Sequence, residues 1–313
     1  MSSPIPRGTW RLWRLGGVDY LVRPSLLVMG AVLVVVFTQR FEGHTESSPL
    51  VLATGFVVGL YVSVLVHEIA HVVAARAFGQ RVRSVTLHLL GGETAIEGES
   101  RTPWQELVTA VVGPLASLGI GVAFLVAERS TTGTTADLSW TLGTVNLFVA
   151  AFNMIPGLPL DGGRVLRAVI WALTRREAWG TRVAGWIGRL TAIGLVVVAA
   201  TRTHDPGWLV QLVVAVLIAA FLWTGAGQAI RHADRDGRVN RLVARDVARD
   251  GDAPADAEDL DADLHGTDLL REIASRPAAA YRVVEADGTV VGVLTLDDLD
   301  TAYRATSTEQ PAG

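Results

Sequence analysis

Six stretches of this chain, at about 24–39, 50–75, 104–127, 140–160, 183–201 and 207–227, are long and apolar enough, or nearly so, to cross a bilayer. A helix needs about 20 mostly apolar residues to do that. In lipid every backbone polar group must find its partner inside the protein, so repeated stretches of this kind fold as packed helices. The first stretch is short and follows Arg7, Arg11, Arg14 and Arg23, as the core of a signal peptide would. No small-residue cleavage site follows it. Phe37-Thr38-Gln39-Arg40 stands there instead, so it reads as an uncleaved helix.

Arginine placement orients the bundle. All 27 basic residues are arginine, and they cluster before span one, at Arg76–Arg101, at Arg164–Arg182 and after span six. The alternate connections hold only Arg40, Arg129 and Arg202. By the positive-inside rule this alternation predicts six spans with both termini in the cytoplasm. The abundance of alanine, valine and glycine without lysine points to a GC-rich bacterial genome, and hence to a multi-pass protein of the cell membrane. The absence of cysteine excludes disulfides and any thiolate metal or redox site. A net charge of −4 argues against a nucleic-acid partner.

Two segments break the helical pattern. In 81–97 the apolar Val82, Val85, Leu87 and Leu89 alternate loosely with polar residues, and Gly91-Gly92 offers a turn. This predicts a short β-hairpin against the membrane. From about residue 232 the chain becomes polar, with an aspartate-rich stretch at 250–264 that reads as a linker. A short helix around Leu269–Ile273, strands at 281–284 and 289–294 about Asp287-Gly288, and a helix at 296–303 then make a small α/β module. The expected division is a membrane domain at 1–230 with its core at about 50–170, a linker at 231–264 and the module at 265–305.

The chemistry sits in the spans. His67-Glu68-Ile69-Ala70-His71 puts two histidines at i and i+4, on one helical face. Two neutral imidazoles there can bind one Zn2+, and the glutamate can act as general base on its water. The alternative is a pair of core histidines, but ionisable groups inside a span are costly and usually functional. A catalytic zinc takes three protein ligands. Asp161, the only acid between Asp137 and Glu177, can supply the third. Pro156, Pro159, Gly162 and Gly163 around it break the helix, and broken backbone at this depth lines a cavity. The plainer role for Asp161 is to cap a helix.

These features resemble the site-2 protease family of intramembrane zinc metalloproteases. The resemblance rests on the HExxH pattern at His67–His71 and on Asn153-x-x-Pro156-x-x-Pro159-Leu160-Asp161-Gly162. It implies zinc, one per chain, on His67, His71 and Asp161, with Glu68 activating water. It also implies that the hairpin at 81–97 receives an unwound substrate as an added strand, in regulated intramembrane proteolysis of another membrane protein. An anti-sigma factor is the substrate the family suggests. Gly113-Pro114-Leu115-Ala116-Ser117 matches a further family motif in which many members have asparagine where this chain has Ser117. Ser117 reads either as a substrate-binding or oxyanion group or as a small residue for helix packing. Asn153 can donate its amide to an oxyanion, or to backbone freed by Pro156.

The sequence Gly292-x-x-Thr295-x-x-Asp298 resembles the end of a CBS domain, where such residues bind an adenosyl ribose; the same spacing is also a helix N-cap. CBS repeats pair, so this CBS-like module implies a homodimer and an adenine nucleotide as ligand. A metal transporter and a receptor with a decayed site are the rival functions. The transporter would need a path of intramembrane acids, and decay is at odds with all four expected site residues being present.

Overall fold

The computed structural model describes residues 8–42, 48–88, 91–97, 100–202, 207–251 and 253–308. The chain divides into two compact units, residues 1–227 and 228–313. In the first unit the apolar stretches are helices: α1 (Pro24–Phe41), α2 (Pro49–Ala77), α3 (Pro103–Glu128), α4 (Gly133–Asn153), α6 (Glu177–Ala200) and α7 (Trp208–Val239), with the shorter α5 (Asp161–Thr174) before α6. Among the described residues, five of these are long and apolar enough to span a membrane: α1, α2, α3, α6 and α7.

The exception is the fourth expected span. It was expected over 140–160, but α4 starts at Gly133, takes in Asp137 and a run of threonines and serines, and stops at Asn153. Residues 154–160 leave the helix, as Pro156 and Pro159 require. α4 packs along α3 at glycine crossings, since a Cβ on Gly121 or Gly143 would meet Leu147 or Leu125 at 2.8 Å. Small residues at such a crossing are what brings two helices close where lipid gives no hydrophobic drive.

The predicted hairpin exists but is half of a larger sheet. β1 (Trp10–Leu15), β2 (Val18–Val22), β3 (Arg81–His88) and β4 (Gly91–Glu97) form one sheet in the order β1-β2-β3-β4. β2 runs parallel to β3, and the other pairs are antiparallel. In the sequence β1 and β2 are overshadowed by Arg11 and Arg14 of β1 and Arg23 just after β2, which stand out as topology signals. Their strand pattern is hidden by a bulge between Arg11 and Trp13, and Gly16 and Gly17 turn the chain at φ +56° and +83°. Gly91 and Gly92 open β4 rather than forming the turn. Val18, Tyr20, Val82 and Val85 pack on Val72 and Ala75 of α2, so the sheet lies against the helix that carries the histidines.

Arg189, in the apolar part of α6, is held between the rings of Trp186 (4.8 Å) and Trp223 of α7 (5.0 Å). Two π faces replace part of the hydration an intramembrane guanidinium loses.

In the second unit β5 (Glu258–Asp261), β6 (Tyr281–Val284) and β7 (Val290–Leu294) form a three-stranded sheet with α8 (Ala244–Val247), α9 (Gly266–Ser275) and α10 (Leu296–Thr308). Leu260, Leu269, Tyr281, Val283 and Leu294 make its core. The segment read as a linker therefore holds structure: α7 continues to Val239, and β5 pairs in parallel with β6. Acidic residues at 258, 259 and 261 mask β5, whose one buried side chain is Leu260. The Asp287-Gly288 turn forms as expected. Thr289 donates its backbone N–H to Asp287, which holds that carboxyl below its ordinary range.

Candidate metal centre

Histidines 67 and 71 lie one turn apart on α2, and both are buried, as is Glu68 between them. Asp161 arrives from the far side as the first residue of α5. The loop before it is wedged into place by glycines packed backbone to backbone. The Leu158 N–H donates to the Ala184 carbonyl of α6 at 3.0 Å, and a Cβ on Gly157 would lie 2.7 Å from Gly188 Cα. A Cβ on Gly162 or Gly163 would likewise collide with the backbone of the same loop. The glycines and prolines of 156–163 thus fix where Asp161 enters the bundle.

Three atoms converge. His67 Nε2 lies 3.2 Å from His71 Nε2 and 3.2 Å from Asp161 Oδ2, and His71 Nε2 lies 3.4 Å from the same oxygen. Ligands at 2.0–2.1 Å on a tetrahedral zinc stand about 3.3 Å apart, so these three atoms are spaced as three corners of such a tetrahedron. Among the described residues this is the one group of three that can hold a metal ion.

The imidazoles are held from behind. His71 Nδ1 contacts the Thr109 carbonyl of α3 at 2.6 Å. A carbonyl only accepts, so Nδ1 carries the proton and Nε2 presents its lone pair to the site. His67 Nδ1 contacts Ser117 Oγ at 2.9 Å. Ser117 Oγ is thus placed to orient the His67 ring. Gly113, one turn before Ser117 on α3, leaves room for both rings, because a Cβ there would collide with His67 Nε2 and His71 Nε2.

A cavity of about 600 Å3 opens on the three ligand atoms and on Glu68. Phe148, Phe152, Ile218 and Phe221 give it an apolar wall, and Glu93, Glu106, Arg164 and Arg167 a charged one. Asn153 lines it too, with its amide Nδ2 donating to the Val149 carbonyl one turn back at 3.1 Å. That bond commits one of its two amide N–H groups and leaves the other for a ligand. β4 borders the same cavity through Gly91, Gly92, Glu93, Thr94 and Ile96, and it is an edge strand of its sheet.

Glu106, Arg164 and Arg167 do not stand out as site residues in the sequence. Glu106 is 1% exposed, accepts from Ser100 Oγ (2.6 Å) and Arg164 Nε (2.9 Å), and is ion-paired with Arg167 (2.5 Å). Arg164 also faces Asp161 Oδ1 at 3.8 Å, on the side away from the histidines. The network joins α3 to α5 and braces the metal-facing carboxylate. An acid in the first turn of an apolar helix, with two arginines a turn apart on another, was the available signal.

Thr295 and Asp298 lie in the second unit, at the start of α10. Thr295 N and Oγ1 both donate to Asp298 Oδ2, at 2.9 and 2.6 Å, and Asp298 is also paired with Arg249. With the Asp298 N–H donating back to Thr295 Oγ1 at 3.3 Å, they form a reciprocal capping box.

Comparison with known proteins follows the same lines. The model of "Peptidase family M50" matches residues 55–136 and 126–198. "Putative zinc metalloprotease Rip3" of Mycobacterium tuberculosis is 32% identical over 313 residues, 96% of this chain and 76% of that protein. The chain belongs to peptidase family M50. A second relative, "Putative zinc metalloprotease sll0528" of Synechocystis sp., is 30% identical over 92% of this chain and 76% of its own. The solved "Site-2 Protease from Methanocaldococcus jannaschii" shares the fold, with a TM-score of 0.53 and 24% identity over 71% of this chain and 95% of that one. The segments matched to the M50 family contain His67, Glu68, His71, Gly113, Ser117 and Asp161, whereas Ile218 and Phe221 of the cavity wall lie beyond them.

Proposed function

We propose that this chain is a zinc-dependent endopeptidase that cuts a transmembrane or membrane-proximal segment of another membrane protein. The observation that carries the reading is the tetrahedral spacing of His67 Nε2, His71 Nε2 and Asp161 Oδ2, with Glu68 lining the same cavity. Two imidazole nitrogens and one carboxylate oxygen make a donor set that suits zinc. Bound there, zinc would make water a nucleophile near neutral pH and polarise a peptide carbonyl. Glu68 is not needed as a ligand, and its carboxylate can take the proton of that water and hand it to the departing amine.

A peptide bond in a helix is shielded, so a membrane segment must be unwound before it is cut. The edge strand β4 beside Glu68 supports capture of an extended substrate by strand addition. The apolar wall of the cavity suits the side chains of a membrane segment, and the charged wall admits water. Asn153, which lines the cavity, can donate its amide to the developing oxyanion.

The test is incubation of the purified chain with a single-span membrane protein, with and without a zinc chelator. Cleavage that stops on chelation and returns with added zinc is expected. Cleavage that persists without metal would remove the basis for the reading.

A further inference from the structure

We propose that Thr94 is a positioning residue for Glu68, so that the strand which borders the cleavage cavity also sets the general base. The inference rests on the reading of Glu68 as that base. Thr94 Oγ1 donates to Glu68 Oε2 at 2.6 Å, across from β4 to α2. Gly92, two residues earlier on the same strand, rests on the same side chain: a Cβ there would stand 2.6 Å from both Glu68 Cδ and Oε1. Two residues of one strand thus confine one carboxylate. A glutamate has three rotatable side-chain bonds, and at the cavity wall it would otherwise sample several orientations. Thr94 occupies Oε2 and leaves Oε1 as the oxygen to receive a proton. β4 is also the edge on which an extended substrate would pair, so an ordered substrate strand would steady Thr94 and, through it, Glu68.

The experiment uses the full-length zinc-loaded protein in lipid nanodiscs and a peptidyl hydroxamate as probe. A hydroxamate chelates zinc and gives its proton to an adjacent carboxylate, so its affinity reports on the placement of Glu68 without needing the natural substrate. Thr94→Val keeps the shape and strand preference of threonine and removes the hydroxyl. It is expected to weaken the hydroxamate on the order of tenfold, the worth of a hydrogen bond to a charged group. Thr94→Ser is expected to restore it, and zinc content to stay at the wild-type level in both. Gly92→Ala perturbs the same carboxylate from the other contact and should weaken the probe as well. Glu68→Gln separates the two failures. If Glu68→Gln binds the hydroxamate as the wild type does, the reading of Glu68 falls and the inference with it. If Glu68→Gln loses affinity while Thr94→Val keeps it, the positioning role alone is refuted. Loss in Thr94→Ser equal to that in Thr94→Val also overturns it, because the hydroxyl would then be irrelevant.

Discussion

Replacing Gly113 by alanine should empty the metal site while leaving the helix better formed. The new Cβ would lie 2.7 Å from His67 Nε2 and 2.6 Å from His71 Cε1. Carbon contacts settle near 3.5 Å, so each ring must retreat by about 0.8 Å or more. Neither ring is free to do so, because His67 Nδ1 is bound to Ser117 and His71 Nδ1 to the Thr109 carbonyl. Metal–ligand distances tolerate only about 0.2 Å. A shift several times larger should lower zinc affinity by roughly 100-fold or more, beyond the 10–100-fold typical of disturbing a ligand's supporting partner. In a helix interior, alanine is otherwise better than glycine by about 0.5–1 kcal/mol. The two effects therefore have opposite signs. Zinc stoichiometry and competition with a chelator measure the first, and thermal unfolding of the metal-free protein measures the second. Wild-type zinc affinity in Gly113→Ala would show that Gly113 does not face the metal, and the geometry built on the two Nε2 atoms would be wrong.

Ser117→Ala should lower zinc affinity by roughly 10–100-fold, since it removes only the partner that orients His67; chelator competition that matches the wild type would return Ser117 to a packing role. Glu106→Ala leaves Arg164 and Arg167 without their shared carboxylate, and breaking a buried ion pair costs about 3–5 kcal/mol. A lower unfolding temperature in detergent is expected, and no change would mean the network is slack. A reporter enzyme active only outside the cytoplasm, fused after residue 240, should stay silent, and a strong signal from it would contradict the orientation drawn from the arginines.

What was legible in the sequence was what periodicity and motif spacing encode locally. The i, i+4 histidines announce a shared face whatever the tertiary fold, and an isolated acid among prolines and glycines announces a special helix start. Both were found together in space. The supporting atoms were not legible because they come from other elements: the Thr109 carbonyl carries no side-chain signature, and Thr94 is one polar residue in a strand. Ser117 stands out through its motif, yet only the packing of α3 against α2 brings its hydroxyl onto His67. β1 and β2 are hidden because a bulge breaks the alternation of β1, and Arg11, Arg14 and Arg23 serve topology equally well. The early end of α4 follows from Pro156 and Pro159, which were read as a break inside a span instead of its end. β5 was obscured because a strand with one buried residue has too little apolar pattern to rise above its acids.

The most direct measurement of the central claim is zinc content together with cleavage of a membrane substrate in matched preparations of the wild type, Glu68→Gln and Asp161→Ala. With Glu68 as base and Asp161 as ligand, Glu68→Gln should hold one zinc per chain and cut nothing, and Asp161→Ala should lose both metal and activity. A Glu68→Gln protein stripped of zinc, or an Asp161→Ala protein that keeps its metal and cuts at the wild-type rate, would contradict it.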